Sequence, residues 1–75
     1  MSQENPTLGE SRVRISFNVG GNVDVEHIKR VCADMIDFLE GKRTEAGPSE
    51  KNRTISQAQT WFEDAAMHGV KAVTA

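Results

Sequence analysis

The chain is short of the parts from which small proteins are usually stapled. It has one cysteine, two prolines, no tyrosine, and three phenylalanines with one tryptophan as its whole aromatic content. The lone Cys32 excludes an internal disulfide, and without a His/Cys ligand cluster it excludes a structural zinc site. A formal net charge of −2 leaves no broad basic field for a polynucleotide. No apolar run approaches the ~18 residues of a membrane span. The N-terminus, Met1-Ser-Gln-Glu-Asn-Pro6, lacks the basic and apolar regions of a signal peptide. A single unpaired thiol fits a reducing compartment such as the cytoplasm.

What remains is 75 residues with 37% hydrophobic content. Chains below ~80 residues rarely stabilise themselves with a core alone. With disulfide and metal set aside, association between copies is the remaining source of stability, so an obligate homo-oligomer is expected. The same shortness argues against an enzyme, because a catalytic constellation needs a supporting shell of packed residues.

Residues 1–11 are polar, contain Pro6 and Gly9, and read as a flexible tail. Residues 12–75 form one unit. Arg12-Val-Arg-Ile-Ser-Phe17 alternates polar and apolar side chains and predicts an extended arm. Asn18-Val-Gly-Gly-Asn22 is a turn, and Asn22 or Asp24 can cap a first helix over about 23–40. Val25, Ile28, Cys32, Met35 and Leu39 make its heptad seam, widened by Val31, Ile36 and Phe38. Gly41 ends it, and a loop with Gly47-Pro48 leads to a second helix over about 52–73. Ile55, Ala58, Phe62, Ala65, Gly69 and Ala72 form the second seam. The fold class is all-α: an antiparallel two-helix hairpin with an extended N-terminal arm, assembled as a homo-oligomer. Trp61, Phe62, Met67, Val70 and Val73 wrap too far around the second helix for one partner, so another face must meet other subunits.

The chemistry-bearing residues have plain readings as well as functional ones. His27 and His68 stand on different helices; a metal pair across the hairpin is one reading, and solvent-facing or hydrogen-bonded histidines are the plainer one. Glu63 and Asp64 are adjacent on a helix and point about 100° apart, so capping or ion pairing suits them better than acid–base chemistry. Cys32 lies on the seam as a small hydrophobe. Val19-Gly-Gly-Asn22 before a helix offers backbone N–H groups to an anion, but its spacing matches no phosphate-loop fingerprint. Positive charge is local, in the arm (Arg12, Arg14), at Lys29-Arg30 and at Arg53. That distribution suits a small anionic ligand, above all if symmetry brings copies of one cation together.

Two segments carry a family resemblance. Ser16-Phe-Asn-Val-Gly-Gly-Asn-Val-Asp-Val-Glu-His-Ile-Lys-Arg30 and Gln59-Thr-Trp-Phe-Glu-Asp-Ala-Ala-Met-His-Gly-Val-Lys-Ala-Val73 resemble the hairpin domain of phage anti-CBASS and Thoeris anti-defence sponges. The likeness covers roughly residues 14–74. It implies a homohexamer of helical hairpins in the cytoplasm of an infected bacterium. Such a sponge binds cyclic nucleotide messengers without cleaving them and keeps the defence effector idle. It needs no cofactor, metal, polynucleotide or membrane.

Carried onto this sequence, the resemblance implies a cyclic dinucleotide site shared by paired protomers. Lys29, Arg14 and Arg12 would face its phosphates, with Phe17 and Asn18 at the pocket entrance. It implies a separate cyclic trinucleotide site on a three-fold axis, built on Arg53. Val31, two residues beyond Lys29, stands where a trinucleotide binder would carry a hydroxyl. The arm lacks the aromatic that relatives often place there, leaving the Arg14 guanidinium to stack on a base. Cyclic ADP-ribose signals belong to the same class of ligand. The contrasting reading is a helical-hairpin interaction module that docks on a host or virion protein.

Overall fold

The structure is a computed structural model and describes residues 5–44 and 47–75. The part of the tail reading that concerns residues 1–4, and loop residues 45 and 46, lie outside the described residues. The described residues form three α-helices and no strand: α1 (Leu8–Val13), α2 (Val23–Glu40) and α3 (Glu50–Val73), with a 3-10 turn at Val19–Gly21 before α2.

The extended arm is overturned, and so is the flexible tail over residues 8–11. Thr7-Leu-Gly-Glu10 is a capping box: the Thr7 hydroxyl accepts from the Glu10 N–H at 3.1 Å and the Glu10 carboxylate accepts from the Thr7 N–H at 3.0 Å. That reciprocal pair nucleates a helix of six residues, Leu8–Val13. Alternation along residues 12–17 was the weaker signal, because the capping chemistry acts just upstream of it. The helix stops at Arg14, whose left-handed backbone (φ 56, ψ 60) turns the chain back.

α1 lies against α2 at backbone contact distance. A Cβ on Gly9 would sit 2.1 Å from the Ala33 carbonyl oxygen, so only glycine permits this approach. The Gly9 N–H donates to Asp37 Oδ1 at 2.7 Å, and Arg30 pairs with Glu10 at 2.8 Å. Val13, Cys32, Ala33, Ile36 and Ala66 form the buried core, flanked by Ile15, Ile28 and Phe62. Burial raises the Cys32 thiol above its ordinary pKa.

Asn22 caps α2, its side chain accepting from the Val25 N–H at 3.0 Å. Ser49 caps α3 in the same manner, accepting from the Asn52 N–H at 3.0 Å. Asn52 also bonds the backbone of Thr44 and Gly47 across the loop between α2 and α3. Ile28 lies against Gly69, Gln59 reaches the Ile36 carbonyl, and Arg43 reaches Asn52 and Ser56.

The inward face of α3 is turned from the seam read in the sequence. Ile55 is buried, but Gln59 and Ala66 are the other buried residues of α3, while Ala65 and Ala72 are exposed. The sequence reading kept a glutamine out of the core. Gln59 is 1% exposed and fully bonded, donating to Ile36 O at 3.0 Å and Glu40 at 3.1 Å and accepting from Arg43 at 2.7 Å. On α2, Val31 and Phe38 are exposed and do not join the seam. The Cα trace spans 43 × 35 × 12 Å, a single layer of helices with two broad faces.

Candidate ligand-binding cavity

α1 with the turn after it, together the arm, borders with α2 and α3 an open cavity of about 420 Å³. Arg12 and Val13 line it from the end of α1, Arg14 and Phe17 from the turn that follows, Lys29 from α2, and Glu63, Ala66, Met67 and Val70 from α3. Three cations and one carboxylate, Glu63, on an otherwise apolar wall form a concave site of the kind that holds a small anion with a flat or apolar body.

The three cations differ in what already holds them. Lys29 is only 7% exposed, and its ammonium donates to the Arg14 carbonyl at 2.9 Å and to the Phe17 carbonyl. It also lies 5.5 Å from the centroid of the Phe17 ring. Desolvation, and then the nearby charge of Arg14, lower its pKa from the ordinary lysine value. Lys29 therefore fixes the shape of the arm, closing the left-handed turn at Arg14 onto α2. Arg12 is paired with Glu63, its Nε and Nη2 at 2.9 and 2.8 Å from the same carboxylate oxygen. Arg14 is exposed and enters none of the ion pairs among the described residues. It is the cation freest to receive a phosphate. The Phe17 ring is 63% exposed, a flat surface left open beside it.

Four of the five residues read as a dinucleotide site thus line one cavity: Arg12, Arg14, Phe17 and Lys29. Asn18 does not line it. Its side-chain amide bonds the backbone N–H and carbonyl of Asn22 at 3.1 and 2.9 Å, holding the glycine turn.

The other two residues lie elsewhere. Arg53 lines a second, shallower cavity of about 500 Å³ with Arg43, Pro48, Ser49, Glu50, Asn52 and Ser56. Its guanidinium is paired with Glu50 one turn back. Val31 is exposed on α2 and lines neither cavity.

Sequence reasoning missed Glu63 as a cavity residue and Arg43 as a neighbour of Arg53. The sequence leads one to expect Glu63 to cap a neighbour or to pair across an interface; its partner is instead Arg12, 51 positions away on the same chain. Nothing local announces such a pair. Met67 and Val70, counted in the sequence among the apolar residues that wrap too far around the second helix for one partner, line the cavity. No cluster of His, Cys, Asp or Glu that could hold a metal occurs among the described residues.

Among known families, the sequence model described as Acb2/Tad1, hairpin domain, matches residues 10–74, nearly the whole of the chain. No curated protein and no solved structure matches the chain. Members of that family are ligand-binding sponges of anti-defence systems.

Proposed function

The chain belongs to the Acb2/Tad1 hairpin-domain family, and from that premise we propose that it sequesters a cyclic oligonucleotide messenger without cleaving it. The observation that carries the reading is the grouping of Arg12, Arg14, Lys29 and Phe17 on one apolar-walled cavity. A cyclic dinucleotide is a rigid dianion with two flat bases and a near two-fold shape, so little of its own freedom is lost on capture. One chain offers a cation for one phosphate and one flat ring for one base. Two chains related by a two-fold axis offer a set for each half of the ligand.

In this reading the chains assemble as antiparallel hairpins, supported by the contacts of Ile28 with Gly69 and of Arg43 with Asn52. They associate through the exposed apolar faces into a homohexamer in the cytoplasm of the infected host. The second cavity, with Arg43 and Arg53 at its rim, is the candidate trinucleotide subsite. Val31 is left out of it. Sequestration acts by stoichiometric binding, and nanomolar capture corresponds to about −12 kcal/mol.

Calorimetric titration with 3′,3′-cyclic GMP-AMP, cyclic di-AMP, cyclic tri-AMP and a cyclic ADP-ribose isomer tests the proposal. Tight binding at one ligand per two chains is expected, with the ligand recovered intact after denaturation. Silence across the panel would favour the other reading, a module whose exposed Trp61 and Phe38 dock on a protein.

A further inference from the structure

Glu63 is the one carboxylate among the residues lining the first cavity. It holds Arg12 by one hydrogen bond from Nε and an ion-pair contact from Nη2, both on a single oxygen, with the Arg12 and Glu63 side chains 26% and 35% exposed. Solvent therefore screens this pair less than a freely exposed one. A phosphate that reaches Arg12 must approach Glu63 as well, and two anions on one guanidinium repel each other.

We infer that Glu63 is a specificity-determining residue, an internal anion whose competition for Arg12 sets a threshold on which ligands the cavity accepts. Exchange of a carboxylate for a phosphate on one guanidinium is close to an even trade. A ligand that brings charge alone gains only what Arg14 provides. A ligand that also stacks a base on Phe17 and covers Val13, Ala66, Met67 and Val70 gains the rest. Glu63 thereby selects against bare phosphates and polyphosphates, the abundant anions that would otherwise fill the site. The inference rests on the sponge reading for the identity of the favoured ligand.

A double-mutant cycle over the parent, Glu63→Gln, Arg12→Gln and the double variant tests it, with two probes titrated separately: 3′,3′-cyclic GMP-AMP and inorganic pyrophosphate. With Arg12 present, Glu63→Gln is expected to tighten pyrophosphate binding about tenfold and the dinucleotide by a smaller factor, about threefold. With Arg12→Gln in place, the same change is expected to alter neither. Equal tightening in both backgrounds would overturn the inference, since Glu63 would then act as diffuse charge. Weakened binding on Glu63→Gln would also overturn it, making Glu63 a support for Arg12. A parent that ignores the dinucleotide while the pyrophosphate cycle behaves as stated would overturn the sponge reading and leave the competition for Arg12 standing.

Discussion

At the scale of single residues, the arm is held by groups that also carry charge. Lys29 is legible in the sequence, through the family resemblance, as a candidate cation, and it lines the cavity. Its backbone partners are not legible there, because bonds to the carbonyls of Arg14 and Phe17 depend on a left-handed turn that sequence periodicity does not encode. Lys29→Met should release both carbonyls. Hydrogen exchange is then expected to quicken at the amides of residues 15–18, while α3 keeps its protection. Unchanged exchange in the arm would show that the ammonium does not tether it. Glu10 supplies a pH dependence. The Thr7 backbone N–H, and next the Arg30 guanidinium, hold its carboxyl below the usual carboxylate value of 4.5. A carboxyl depressed in the folded state lends stability that is complete above about pH 4.5 and is lost as pH falls through its lower folded value. Thermal melts from pH 6 downward should show that loss, and Glu10→Gln should flatten it. A parent and variant with parallel acid limbs would exclude Glu10 as its source.

At the scale of elements, α2 was the most legible. Its cap, seam and terminal glycine agree with one another, and Val25, Cys32 and Ile36 are buried as an apolar stripe requires. α1 was hidden by competition between two local signals, a capping box at Thr7–Glu10 and an alternation beginning at Arg12. The box prevails because it satisfies backbone donors at once, whereas an arm strand had no sheet to join. The rotation of α3 was hidden for another reason. Two stripes with the same 3 and 4 spacing run along it, and apolarity alone favours the one without Gln59. Arg43 and Glu40 reverse that choice by giving Gln59 partners inside. Gln59→Ala should cost about 3 kcal/mol, combining a void with polar groups left unpaired. Denaturant titration measures it. A loss under about 1 kcal/mol would mean that water replaces the side chain without penalty.

At the scale of the whole molecule, a layer 12 Å deep in its Cα trace cannot hide all its apolar side chains. Val23, Phe17, Trp61, Met67 and Phe38 all remain more than half exposed. Composition alone foretold this excess, because so short a chain has little interior. How many copies would cover it is not written in the residues, since symmetry is a property of complementary surfaces. If Trp61 and Phe38 face neighbouring copies, Trp61→Glu with Phe38→Glu should lower the mass seen by light scattering and leave helix content largely intact. A parent that is already monomeric would sink the shared-site mechanism. The clamped arm has a kinetic consequence. Its clamps, made by the chain's own groups, reach α2 through Gly9–Asp37, Glu10–Arg30 and Lys29, and α3 through Arg12–Glu63. If the cavity takes a ligand as proposed, an arm already clamped adds no folding step to capture, and the rate follows encounter and the swap at Arg12. A trap assembled before its quarry arrives can win a race against a slower receptor even where their final affinities are equal.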